Sequence, residues 1–287
     1  MASLKEVKGR IASVNNTRKI TSAMKMVASA KLHKAQAAIE SMLPYERRLH
    51  HILTDFMSNC TEVTSPFIVK REVKKVAVVV FASNTSLCGG FNANVIRHLV
   101  DLLAEYKPLR LENILVFPVG KKVADAVRKL GFRIEGDFQH MADKPSYQEA
   151  ADLAADLMKR FLHGDVDKVE LLYNHFKSTA SQILTRETYL PIDLNNEKKE
   201  EERTIDYILE PSAEELMQEM LPKVLRMKMF TVLLDSNAAE HAARTMAMQI
   251  ATDNANELLQ ELTVMYNKSR QQSITNELLD IVGGSMA

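Results

Sequence analysis

The residues of this chain that could do chemistry lie mostly in its middle third. A valine-rich run, residues 75–82 (KVAVVVFA), leads into the loop Ser83-Asn84-Thr85-Ser86-Leu87-Cys88-Gly89-Gly90. A buried strand that passes through a glycine-bearing loop into a helix is where an α/β sheet holds a phosphate. Here the spacing argues otherwise. Neither GxGxxG nor GxxxxGK[ST] occurs, and Gly120-Lys121-Lys122 is not a phosphate cradle. The loop therefore reads as a structural turn, and no cofactor is expected. Cys88 has no His or Asp placed by motif to activate it, so it reads as a small buried thiol. Cys60 and Cys88 fit no metal or disulfide spacing and point to a reducing compartment. The eight histidines give neither HExxH nor an i, i+4 pair, and His241 reads as a helix-packing residue. No catalytic, cofactor or metal set emerges.

The elements that would carry these residues follow from where glycine falls. After Gly9 the next glycines are Gly89, Gly90, Gly120, Gly131, Gly136 and Gly164, then Gly283 and Gly284 at the end. Glycine marks turns and is costly inside helices, so the middle is turn-rich and the two ends are helical. Residues 212–282 hold no glycine and one proline, Pro222. Small or apolar side chains recur there every seven residues. One register reads Met220, Met227, Leu234, His241, Met248, Ala255, Leu262, Ser269; the other reads Val224, Thr231, Ala238, Thr245, Thr252, Leu259, Tyr266, Ser273. That is a coiled-coil seam, roughly 106 Å long as one helix at about 1.5 Å per residue. Pro222 is expected to kink it early, giving one long helix or a short piece leading into a long one. Gly283 and Gly284 are expected to stop it.

The N-terminal end carries a matching seam through Leu4, Val7, Ile11, Val14, Thr21, Ala28, Ala35 and Met42, running to about Met57. Ser3 with Glu6, and Ser212 with Glu215, have capping-box spacing at the two helix starts. Charge supports pairing of the two ends. Residues 1–57 hold ten Lys/Arg against four acids, and residues 212–287 hold six against ten, within a chain of net charge zero. The basic N-terminal face has few aromatics, so it reads as solvated or as addressing an acidic protein, not nucleic acid. No apolar run is long enough to span a membrane directly.

Between the ends, short runs alternate. Strands are expected at 75–82, 113–119, 133–138, 168–173 and 181–189, with helices at 91–106, 121–130 and 146–162, the last with a Ser–Glu capping start. The fold class is therefore α/β: a Rossmann-like domain with a mostly parallel sheet, flanked by a long antiparallel coiled coil of the terminal helices. The last two strands follow each other directly and should form an antiparallel edge pair. The division expected is 1–57, 73–194, a charged linker at 195–211 (its core NNEKKEEER), and 212–287.

Taken together, these residues resemble one family throughout, the gamma subunits of F-type ATP synthases. Residues 4–36 (LKEVKGRIASVNNTRKITSAMKMVASAKLHKAQ) are similar to the family's first helix. Leu87-Cys88-Gly89-Gly90-Phe91-Asn92 matches its LCGGFN motif, and Tyr173-Asn174 with Phe176 and Ser178 resembles its YNxFxS stretch. The C-terminal matches are the most specific: Glu240-His241-Ala242-Ala243-Arg244, the run 251–255 (ATDNA), the run 266–271 (YNKSRQ) and Ile274-Thr275-Asn276-Glu277. The resemblance implies a non-catalytic rotor. Its coil would pass through a ring of alpha and beta subunits, and its α/β foot would contact the epsilon subunit and the membrane c-ring. It implies coupling roles for Met24, Arg244, Gln271, Thr275 and Glu277. Near the C-terminal tip, Met265, Leu278, Leu279 and Ile281 would face a partner sleeve. A peripheral place on the cytoplasmic face of a bacterial membrane is the expectation. The loop departs from the family by carrying Asn84, Thr85 and Ser86 where a charged pair and a glycine are common, so an ionic role for it is not expected. Two rival readings stand beside this one: a nucleotide-binding enzyme with oligomerisation helices, and a coiled-coil scaffold.

Overall fold

In a computed structural model of the full chain, residues 4–59, 65–192 and 213–285 are described. The N-terminal seam lies on a single helix, α1 (Leu4–Asn59). The valine run forms β1 (Val76–Phe81) and leads through its loop into α2 (Phe91–Glu105). Then come β2 (Ile114–Val119), α3 (Lys121–Leu130), β3 (Arg133–Ile134), α4 (Gln139–Asp143) and α5 (Tyr147–Leu162). Strands β4 (Lys168–Phe176) and β5 (Gln182–Leu190) precede the last helix, α6 (Ala213–Ser285). The sheet order is β3-β2-β1-β4-β5, parallel except for the antiparallel β4–β5 edge pair.

All six residues of β1 are buried because both faces of the sheet are covered. Val76, Val78 and Val80 pack with Val95 and Leu99 of α2 and with Val123 and Val127 of α3. Ala77, Val79 and Phe81 face the other way, into a core closed by Leu153, Leu157 and Phe161 of α5 and by Leu221, Leu225 and Met229 of α6. The first part of α6 is thus a layer of the α/β domain, not a separate arm. This packing accounts for Pro222: the helix runs through it unbroken while its neighbour Leu221 is fully buried. In a helix anchored by a core, the lost hydrogen bond is offset by burial.

Beyond Thr231, burial divides α6 into three zones. From Val232 to Ala243 nearly every side chain is buried, as in a helix enclosed all round. Beyond Ala255 only Leu259, Leu262, Tyr266, Ser269 and Ser273 escape full exposure, the 3.5-residue seam read from the sequence. After Ser273 every residue whose side chain is described is exposed. The seam's partner is α1, and the pairing is antiparallel. Leu32 and Ala35 pack on Ala238 and Ala242, while farther out the Thr252 and Thr21 hydroxyls meet at 2.8 Å and Arg18 donates to Asn256.

Several expectations are corrected. Gly283 and Gly284 do not stop α6, which continues to Ser285. The third strand is two residues long because Gly136, at φ +73°, turns the chain where a Cβ would collide with the Phe138 ring. The chain then forms α4, which has no amphipathic length to announce it. Ser146 precedes α5 but its side chain makes no capping hydrogen bond. Strand β4 runs past the expected 168–173 to Phe176. The Ser3 and Ser212 caps, Cys60 and the charged run 195–203 lie outside the described residues.

Candidate functional site

A doubly covered parallel sheet normally binds its ligand beyond the carboxyl ends of its strands, where the strand order reverses. Here the reversal falls between β1, which is followed outward by β2, and β4. Helix α6 crosses that edge. Leu233, Ser236, Asn237 and Glu240 lie against Phe81, Ala82 and Val119, and the space left is about 10 Å³, enough for one water and far too little for a nucleotide. Gly120 is needed here because a Cβ would sit 2.1 Å from the Ala82 carbonyl oxygen.

Polar side chains on α6 then take up the ends of the strands one by one. Asp235 accepts the Phe176 N–H at 2.8 Å and contacts His175 Nδ1 at 2.6 Å, closing the end of β4. Asn237 donates to the Ala142 carbonyl at 2.9 Å. Arg244 donates to Glu240 at 2.5 Å and to the Thr85 hydroxyl at 2.8 Å. The loop after β1 thus meets the arginine with neutral oxygens. Asn84 braces the same loop by donating to Gln139 O and Asp143 Oδ2 and by accepting the Lys121 N–H. Beneath it, Cys88 and Phe91 pack on Ala239 and Ala243, with the Cys88 thiol buried. The cysteine of the LCGGFN motif packs beneath the loop, where the Asn92 side-chain amide donates to its sulfur at 3.2 Å.

Two buried ionisable groups mark this waist. Burial pushes the Glu240 carboxyl up, against the pull of Arg244. His241 is held down to about 4, by burial first and then by the positive charges of Lys31 and Arg244. Its Nδ1 is buried without a hydrogen-bond partner, so the ring sits neutral in the helix–helix contact.

The five residues singled out by resemblance fall in three places. Met24 is half-buried on α1, one turn from Thr21. Arg244 is at the waist, its side chain 12% exposed and engaged within the chain. Gln271, Thr275 and Glu277 are exposed on the bare end of α6, about 40–50 Å from Arg244 along a helix rising about 1.5 Å per residue. Of these, Thr275 and Gln271 are joined, the threonine hydroxyl donating to the Gln271 carbonyl at 2.9 Å. Sequence reasoning missed Asp235, Asn237, Asn84 and Thr85. The signal for the first two was available: Asp235-Ser236-Asn237 interrupts a run that is otherwise mostly apolar, from Met229 to Ala239.

Among the described residues no helix is long and apolar enough to cross a membrane, and no group of His, Cys, Asp and Glu could hold a metal ion. The family profile described as ATP synthase matches residues 3–287. A curated ATP synthase gamma chain from Phocaeicola vulgatus is 82% identical, with all of both chains covered. One from Bacteroides fragilis is 64% identical with the same coverage. A chain from the mitochondrial ATP synthase of Euglena gracilis shares the fold, with a TM-score of 0.64 at 19% identity, covering 99% of this chain and 93% of that one.

Proposed function

The chain belongs to the gamma subunits of ATP synthase, and on that premise we propose how its parts divide the work of a central-stalk rotor. As a gamma chain it is a non-catalytic subunit that couples ion flow through the c-ring to nucleotide chemistry on the beta subunits by rotation inside the alpha/beta ring. Its partners are the alpha and beta subunits, the epsilon subunit and the c-ring. It is peripheral, and we place it on the cytoplasmic face of a bacterial membrane.

One observation carries the division of labour. Helix α6 is continuous from the core of the α/β domain, where Leu221 and Met229 are fully buried, to a bare end at Leu278 and Ile281. Beyond Pro222, which the foot core holds in place, the helix runs without a proline and has no joint at which rotation of one end could be lost before it reaches the other. The α/β domain is the foot, the paired stretch of α1 and α6 is the shaft, and the tip turns in the ring. Small seam residues such as Ala28, Ala238 and Ala255 allow the helices a close approach that stiffens the pair. Arg244 acts as an internal tie between shaft and foot loop. Met24 lies along the shaft, and Gln271, Thr275 and Glu277 are contacts with the surrounding ring. In this reading the alpha/beta ring selects among its conformations according to which face of the shaft it meets.

Purified alone, the full chain should neither hydrolyse ATP nor bind it tightly. Added to alpha and beta subunits, it should produce an assembled complex that hydrolyses ATP. Turnover by the isolated chain would overturn the rotor reading.

A further inference from the structure

Where the shaft enters the foot, α1, β4 and α6 line a half-open cavity of about 360 Å³ that the rotor reading does not use. The size is that of a small-molecule site. Ile39, Tyr173, Phe176 and Val232 form its apolar walls. Its polar lining can be counted as charge. Lys228 is matched by Glu187 at 3.3 Å, and the Asp235 carboxylate is held by a hydrogen-bond contact with His175 at 2.6 Å. The carboxylate of Glu40, exposed on α1 at the cavity rim, is left without a counter-charge among the described residues.

We propose that this cavity at the junction of foot and shaft binds an amphipathic monocation, an aryl or short alkyl body bearing one ammonium or amidinium group. The body would lie between Ile39, Val232, Tyr173 and Phe176, and the faces of the two aromatic rings also favour a cation. The cationic head would pair with Glu40 at the rim. A monoanion of the same shape meets one lysine, Lys228, already paired with Glu187, and so gains no charge.

The test uses the full-length chain, with 2-phenylethylammonium and 3-phenylpropanoate as probes of opposite charge and similar body, followed by ligand-observed NMR titration. Saturable binding of the ammonium probe, at least fivefold tighter than the carboxylate probe, is expected. Glu40→Gln should weaken the ammonium probe about fivefold, since a rim charge contributes up to about 1 kcal/mol. Glu40→Lys should invert the preference between the two probes. Gln36→Trp, on the rim, should block both without disturbing the core. The proposal is overturned by absence of saturable binding, by equal affinity for the two probes, or by binding that survives Gln36→Trp. Because these variants lie at the cavity rim, circular dichroism of each should match the parent chain, which separates loss of binding from loss of fold.

Discussion

At the scale of single residues, the waist holds two groups whose protonation follows from burial. His241 has an ordinary value of 6.5 and sits at about 4 in the folded chain. A base with a lowered folded value binds more protons when unfolded, so stability falls as pH falls through the window from about 6.5 to about 4. At neutral pH nothing is lost. The full cost of crossing the window is about 3–4 kcal/mol. Urea unfolding at pH 7 and at pH 4.5 measures it, and His241→Gln should flatten the part of the slope due to this ring. An identical slope in the variant would show that the ring is not the titrating group. Arg244 gives a second prediction. Glu240, 8% exposed as a side chain, is paired with Arg244, so Arg244→Ala leaves a buried carboxylate without its arginine. A loss of about 3 kcal/mol is expected, tempered by the readiness of Glu240 to take up a proton. Adding Glu240→Gln should recover part of it, and the double-mutant cycle measures how much.

At the scale of elements, the seam makes a sharper demand than hydrophobicity. Ala238 is fully buried against Leu32 and Ala35 where the two helices approach through small side chains. Ala238→Leu should overpack that contact and cost about 1–3 kcal/mol, read as a lowered thermal midpoint. A leucine at Ser273, at the end of the seam, should cost nothing comparable. The contrast between these sites also explains how much the sequence disclosed. The seam from Thr245 to Ser273 was legible because one face alone is buried there, so spacing maps directly onto structure. The parallel strands were legible because both faces of Val76–Phe81 are covered, which leaves a continuous apolar run. Between Val232 and Ala243 periodicity picked out Leu234, Ala238 and His241, all buried, but not the residues around them, because the helix is enclosed all round there and no face is distinguished. Propensity failed at Gly283 and Gly284, which lie inside a helix already established by its neighbours. The waist contacts of Asn84, Thr85 and Asp235 were illegible for another reason. They join loops and a helix far apart in the chain, and only the closed fold brings them together.

At the scale of the molecule, stability and coupling reside in different places, and that separation can be measured. The foot core and the α1–α6 seam hold the chain together, whereas beyond Ser273 the described side chains touch little of it: Leu279 is 63% exposed and Ile281 69%. Removing residues 271–287 should therefore change the isolated chain's unfolding free energy by no more than the roughly 0.5 kcal/mol typical of surface changes. Its helical signal should fall only by the share of residues removed. In the assembled complex the same deletion removes Gln271, Thr275, Glu277 and the apolar tip, all of the proposed contacts with the ring beyond the coil. An apolar helix end left bare in the free chain gains its burial only inside a partner. Impaired assembly, or ATP hydrolysis no longer tied to ion movement, is the expected result when the truncated chain is reconstituted in vesicles. If truncation instead lowered the stability of the free chain by several kcal/mol, the tip would belong to the fold. If it left both assembly and coupling intact, the chain would be acting as a scaffold, and rotation of its tip would transmit nothing to the ring.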